Sequence, residues 1–517
     1  MSRTRLFRWL KQHFRGEVHA HMDQGRRAFS KALGVAALAA SMPISSLNAL
    51  TPVAHKSQIA IVGAGLGGLT TAYRLMQSGL SPVLFEASTR LGGRVHTRYR
   101  FTSDNQFSEL GGEFVDTDQH EIRDLCKELG VGLTKLTDEE ASDLFHFDGV
   151  FYTEHDLEIA KQRGNFSELA HMIAKDAKQL YDGNGAFTEY AKSLDQLSLK
   201  SYLARAKNTK PWVIKMIEVA YTGEFGLEVS EQSCLNLIDM MGPDAGMPSS
   251  LFGDSDEAWR IEGGSQRIID ALAQAVKATV PLYLGTQLVG ISHDPNGKFS
   301  LTFSVQGKLQ TSTFDYVVLA LPFTILRQIK TVRTLNLTQE KQDAIEHLGY
   351  GTNAKVIFEM QDRNWSKSPN LPEGIQPSGT FYSDLIFQNI WDSSRKQPGE
   401  HGILTAFLGG DSGLRYPADL INRITANLKI MLPDIDTQFT GNQASFFWAK
   451  HRFSQGSYTC CKTGQYTSLL PYTAMAELDG TLYFAGEHTS QDFQGFMNGA
   501  VESGNRVARE LLKKLSA

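Results

Sequence analysis

An apolar, β-branched run that breaks into glycines constrains this chain more than anything else in it. Ile59-Ala60-Ile61-Val62 is followed at once by Gly63-Ala64-Gly65-Leu66-Gly67-Gly68. Gly63 permits a tight turn, Gly65 lets the backbone approach a pyrophosphate, and Gly68 lets the next helix pack on the strand. The helix predicted from there keeps Leu69, Ala72, Tyr73, Leu75 and Met76 at helical spacing. Its start points free N–H groups and a positive dipole end at whatever lies above the turn. A second strand, Pro82-Val83-Leu84-Phe85, ends at Glu86 and Ala87, which puts a carboxylate where it can accept both hydrogen bonds of a ribose. Strand, glycine turn, helix and acid in this order predict an α/β dinucleotide-binding fold.

Arg90-Leu91-Gly92-Gly93-Arg94 follows directly and brings two more glycines and a phosphate-seeking guanidinium. A nicotinamide cofactor does not need this second pass, whereas the longer FAD does. At the far end, Leu482-Tyr483-Phe484-Ala485-Gly486-Glu487-His488-Thr489 reads as a buried strand entering a glycine turn. Gly495-Phe496-Met497 then opens a helix that continues through Val507, Ala508, Leu511 and Leu512. These two stretches resemble the flavin-containing amine oxidase family, which includes monoamine and polyamine oxidases, L-amino-acid oxidases and related demethylases. The resemblance covers most of the chain after about residue 57. It implies a two-domain FAD-dependent oxidoreductase of α/β class, with a Rossmann-like FAD-binding domain and a mixed α+β substrate domain. It also implies FAD contacts at Gly63, Gly65, Leu66, Gly67, Gly68, Glu86, Ala87, Arg90, Gly92, Gly93, Arg94, Gly111, Gly112, Glu113, Val289, Trp448, Gly486, Glu487, Gly495, Phe496 and Met497.

The same resemblance implies a discontinuous organisation. An export segment occupies 1–50; FAD-binding parts lie at 56–134, 259–344 and 448–517; substrate-domain parts lie at 135–258 and 345–447. The middle FAD-binding part reads as a helix bearing Ile268, Ile269, Leu272 and Val276, then short strands at 282–284, 287–291, 299–303 and 315–322. Both substrate-domain parts read as mixed and helix-rich. Pro369, Pro372 and Pro377 mark a loop at the mouth of the site.

Three groups are expected to carry the chemistry, with the flavin supplying the redox centre. Lys355 stands inside the apolar run Tyr350–Phe358, where an ammonium is costly unless paired. It matches the family lysine that holds a water at the flavin. Trp448, Tyr458 and Phe496 form the aromatic wall, Tyr458 and Phe496 being two sides of a cage around the amine. Mammalian monoamine oxidases have tyrosine at both cage positions, so Phe496 is a departure. Ser457 falls where those enzymes carry a flavin-bonded cysteine; serine cannot form that thioether, so FAD is expected to be non-covalent.

In the segment Leu110-Gly111-Gly112-Glu113-Phe114, Phe114 takes the place of the arginine that grips the substrate carboxylate in many L-amino-acid oxidases of the family. Glu113 reads either as a pocket carboxylate that attracts a second ammonium or as a loop acid paired with Arg94 or Arg98. The expected partners are a small-molecule amine and O₂, and the expected reaction is oxidative deamination with release of H₂O₂. An L-amino-acid oxidase, a desaturase-like oxidoreductase and a non-catalytic flavin-binding protein stay open beside it.

The first 31 residues hold eight Lys/Arg against Glu17 and Asp23, a charge of +6, which leaves about −11 for the rest of a chain of net charge −5. An acidic body suits cationic substrates and argues against nucleic acid. Gly25-Arg26-Arg27-Ala28-Phe29-Ser30-Lys31 resembles a twin-arginine export motif, and the apolar segment after it is too short to span a bilayer. Periplasmic or secreted localisation follows, with Ala49 and Ala54 as cleavage candidates and membrane association only through this segment. The four cysteines make no disulfide framework, and no cluster has metal-ligand spacing. Gly410-Asp411-Ser412-Gly413 lacks the glycine that would complete a nucleophile elbow.

Overall fold

A computed structural model of the chain describes residues 58–136, 142–242, 256–363, 365, 377–415 and 418–516. The twin-arginine segment, Pro369 and Pro372 lie outside the described residues. Five short strands form one parallel sheet, in the order Leu282–Tyr283, Val83–Phe85, Ile59–Val62, Tyr316–Leu319 and Leu482–Phe484. Segments more than 400 residues apart in sequence therefore share hydrogen-bonded register, with Val318 joining Ile61 on one side to Tyr483 on the other. The strands are buried on both faces, which is why they read as continuous apolar runs rather than alternating ones. Helices Leu66–Gln77, Gln266–Val276 and Met497–Ser516 cover one face, and Ile268, Ile269, Leu272 and Val276 are fully buried in that layer.

A second, seven-stranded sheet is built from the chain between these pieces. Its order is Phe439–Phe447, Ala354–Met360, Gly402–Leu408, Asn389–Asp392, Pro377–Ser383, Ser142–Phe147 and Val150–Thr153. All pairs are antiparallel except Pro377–Ser383 with Ser142–Phe147. The helix-rich expectation holds for 142–242, where helices such as Pro211–Phe225 form their own core around Leu169, Tyr202, Met216 and Leu237. For 345–447 it does not: five of the seven strands come from there. Ala354–Met360, the apolar strand expected around Lys355, and Asn389–Asp392 are buried at every position; the second had no two-residue alternation to mark it as a strand. Pro377 is likewise not in a loop but opens a strand, the position where a missing N–H removes no ladder bond.

All four cysteines are free and buried. Among the described residues no group of side chains could hold a metal, and no helix is long and apolar enough to cross a membrane.

Candidate active site

Between the two sheets lies a cavity of about 470 Å³, lined by residues from both ends of the chain and from its middle. Its first wall is the glycine turn. Gly63 has φ +105°, and a Cβ there would stand 2.5 Å from the Ala320 carbonyl oxygen. Gly65 is different: its Cβ would meet nothing nearer than 3.9 Å, so it leaves an open cradle. Gly67 packs where the C-terminal segments arrive, and a Cβ there would stand 3.2 Å from both Ala500 O and Gly486 N. Gly68 does not face the cavity. Its Cβ would fall 1.9 Å from Gly63 O, so it acts in helix packing alone.

The helix Leu66–Gln77 begins with no capping side chain and no acid in its first turn. Its leading N–H groups are thus left for an anion. Glu86 closes this end: its carboxylate accepts from Ala64 N and Ser88 N, both at 2.8 Å, and still lines the cavity beside Ala87. Two carboxylate acceptor positions remain for a ribose. Val289 sits opposite at a bulge, where the register shifts between Leu288 and Gly290, which takes its backbone out of the ladder. An open glycine cradle, uncapped helix amides, an oriented acid and an out-of-register backbone fit a dinucleotide.

The two arginines of the second glycine loop are also held by the protein. Arg90 and Arg94 both line the cavity, but Arg90 donates to the carbonyls of Leu91, Gly93 and Val95. Arg94 donates to Ser457 O and pairs with Glu487 at 2.6 Å. Glu487 is equally committed, accepting from Thr459 Oγ1 and from Gly495 N as well. These groups tie the glycine loops to the C-terminal turn, where Gly486 adopts φ +127°. His488 lies wholly buried against Phe323, and burial drives its imidazole down to about 3, so it is neutral.

The other end of the cavity is aromatic. Trp448 donates Nε1–H to Leu110 O at 2.9 Å, and Tyr458 donates its hydroxyl to Gly223 O at 3.2 Å. Phe496 and Met497 come from the start of the last helix, the Met497 thioether filling the space over Gly112. Phe114 meets Trp391 edge-on at 5.7 Å between centroids, and Phe407 continues that wall. Ser457 is buried and donates Oγ–H to Asn353 Oδ1 at 2.7 Å.

Lys355 reaches the cavity from the strand Ala354–Met360, with Nζ 3.1 Å from Glu109 O, 2.9 Å from Gly111 O and 2.9 Å from Glu113 Oε2. Neither sequence reading of Glu113 survives in its original form. The carboxylate is paired, but with Lys355 rather than Arg94 or Arg98, so it is not offered to a second ammonium. Burial works to raise its pKa, yet the neighbouring Lys355 and Arg260 charges prevail and hold it below the usual carboxylate range. The three N–H groups of the lysine meet three protein acceptors.

Sequence reasoning passed over Asp116, Glu257, Asn353, Asn389, Trp391 and Phe407, all of which line the cavity. Only Asp116 carried a signal, as the acid two residues after Phe114; the others are single polar or aromatic residues on buried strands or turns.

Residues 66–512 match the family model described as flavin containing amine oxidoreductase. The chain is 24% identical over 482 residues to an L-amino-acid oxidase of Sistrurus catenatus edwardsii, covering 90% of this chain and 88% of that protein. An L-amino-acid oxidase of Gloydius blomhoffii is likewise 24% identical, covering 90% of each. Cyclohexylamine oxidase from Brevibacterium oxydans has the same fold, with a TM-score of 0.76 at 20% identity over 89% of this chain and all of that one. Putrescine oxidase bound to putrescine gives 0.72 at 20% identity over 88% and 99%. The geometry of the cradle and this match over most of the chain lead to one conclusion: the protein is an oxidoreductase belonging to the flavin containing amine oxidoreductase family.

Proposed function

We propose that this chain holds FAD non-covalently and oxidises a primary or secondary amine. The observation that carries this reading is the character of the cavity's aromatic arm. Phe114, Trp391, Phe407, Tyr458 and Phe496 enclose it, and the carboxylates Asp116 and Glu257 line the same cavity. Among the described lining residues the arginines are Arg90, Arg94 and Arg452, and each already bonds the protein, Arg90 at Val95 O, Arg94 at Glu487 and Arg452 at Gln287. An aromatic slot of this kind suits an amine rather than an α-carboxylate.

The overall change is RCH₂NH₂ + O₂ + H₂O → RCHO + NH₃ + H₂O₂. Bound flavin supplies the two-electron acceptor between amine and O₂. The chain's part is to orient the amine between Tyr458 and Phe496, exclude water, and lower the cost of the neutral amine. An alkylammonium of pKa about 10 costs roughly 4 kcal/mol to deprotonate at pH 7, and a poorly solvated aromatic slot reduces that cost by disfavouring the charge. Ser457, with its hydroxyl on Asn353, offers no thiol for a flavin bond.

A second reading has one observation in its favour. Arg395 lies 5.9 Å from the Phe114 ring centroid, and its Nη2 is buried without a hydrogen-bond partner. An α-amino acid whose carboxylate reached that guanidinium would make the chain an L-amino-acid oxidase. Anaerobic mixing of the purified yellow protein with matched amines and amino acids separates the two. Bleaching by amines, with H₂O₂ on readmitting air, is the expected result. Bleaching by amino acids alone, abolished in Arg395→Met, would establish the second reading instead. Acid precipitation should release all the yellow colour into the supernatant; colour retained in the pellet would refute non-covalent binding. We further propose export through Arg26-Arg27, to be checked by fractionating cells that express the chain with both arginines changed to lysine.

A further inference from the structure

The Lys355 ammonium has three N–H groups, and the Glu109 carbonyl, the Gly111 carbonyl and Glu113 Oε2 take all of them. Two of these acceptors are backbone atoms of the segment that lines the cavity, so a lysine on the seven-stranded sheet fastens that segment across to it. Glu113 is just as fully engaged: Oε2 also accepts from Trp391 Nε1 at 3.2 Å, and Oε1 accepts from Ser393 Oγ at 3.0 Å. Ser393 is hydrogen-bonded in turn to Thr405 at 2.7 Å. The two side chains are 6% and 2% exposed, and the ammonium faces the Trp391 ring at 5.0 Å. At that depth a lone ammonium sheds its proton and a lone carboxylate gains one. Together their formal charges sum to zero.

The other charges facing the pair are Glu109, held by Thr97 and Ser265 N, and Arg260, whose guanidinium is spent on Ser393 O and Arg395 O. Asp116 and Glu257 line the same cavity. None of them bonds the Lys355 ammonium, so Glu113 alone supplies its carboxylate partner.

We propose that Glu113 is a positioning residue that supplies the buried counter-charge of Lys355 and keeps it turned onto the 109–113 segment, so that the two form a neutral pair in the cavity wall. This rests on the cavity being the flavin site, but not on the substrate being an amine. Its test therefore begins without substrate. The absorbance spectrum of the flavin-loaded protein is titrated between about pH 6 and pH 9 for wild type, Glu113→Asp, Glu113→Gln, Lys355→Met and the double variant Glu113→Gln/Lys355→Met. Wild type and Glu113→Asp should show no transition from this pair. Glu113→Gln should show a one-proton transition as the unpaired lysine titrates, and the double variant should lose it. If Glu113→Gln fails to fold, Lys355→Met decides the matter with the titration extended down to about pH 4, because Arg260 still faces the Glu113 carboxylate: a transition absent from wild type should appear and fall silent in the double variant.

A spectrum with no transition beyond that of wild type in both single variants, or an added transition that persists in the double variant, overturns the proposal. With a reducing substrate in hand, the pH profile of anaerobic reduction in Glu113→Gln should carry the same transition, rates changing by about tenfold per pH unit on one side of it. A uniform rate loss with an unshifted profile would mark Glu113 as merely structural.

Discussion

Glu109 is the residue at which burial and function pull hardest against each other. Its carboxyl is wholly inside the protein, and burial lifts its pKa to about 7 against the Ser265 N–H, the Lys355 charge and the Thr97 hydroxyl. The folded state thus holds this proton more tightly than the unfolded chain, whose ordinary value is 4.5. Its stabilising contribution is complete below about 4.5 and is lost as the pH rises through about 7. Glu109→Gln keeps an acceptor for Ser265 N and removes the titration. The variant should melt several degrees above wild type at pH 8, and its loss of Tm between about pH 4.5 and pH 7 should be shallower. Some slope should remain, because Glu502 is also lifted to about 7, by burial, and acts with the same sign. Scanning calorimetry across that range checks this; an unchanged slope would show that Glu109 stays ionised throughout. At this scale sequence told little. Lys355 stood out because a charge inside an apolar run needs a partner, but nothing in sequence pairs residue 355 with residue 113, since that contact depends on how two sheets meet.

At the scale of elements, strand and helix at the cofactor turn touch through one glycine and open to the cavity through another. An added methyl at Gly68 would lie 1.9 Å from the Gly63 carbonyl oxygen, a backbone atom that no rotamer change can move aside. One at Gly65 would meet only ordinary contacts, near 3.9 Å, and project into the cradle. Gly68→Ala should therefore destabilise the apoprotein by about 3 kcal/mol or more, whereas Gly65→Ala should leave its Tm close to wild type and weaken FAD at least tenfold. Thermal melts with and without FAD, together with a flavin-fluorescence titration, separate the two outcomes. Equal loss of apoprotein stability in both would contradict the division of labour. This turn was legible because each glycine answers a local demand of a strand running into a helix. The seven-stranded sheet was not, for the opposite reason. Its partners are set by tertiary packing, and strands buried at every position lose the alternation that marks a sheet edge to a reader of sequence.

Across the whole molecule the cavity exists only because many separated segments return to it, so substrate choice belongs to no single motif. Phe496 shows how that works. Its ring lines the main cavity and also a second one of about 50 Å³, shared with Asn236, Met240, Cys461 and Gln494 from the helical region and the C-terminal turn. The residue is thus common to both spaces. Truncation to Phe496→Ala joins the two spaces while removing one wall of the amine slot. The two effects point in opposite directions for different substrates. Slender unbranched amines lose a packing surface and should reduce the flavin about tenfold more slowly, a barrier change of about 1.4 kcal/mol. Amines branched next to nitrogen gain room and should lose less or become faster, so the ratio of kcat/KM for branched over unbranched substrates should rise by about tenfold or more. Because a global defect lowers both rates together, the ratio is insensitive to partial misfolding of the variant. An unchanged ratio would mean that the second space stays closed when the ring is gone, and that the size limit lies instead with Tyr458 and Trp391 on the opposite wall.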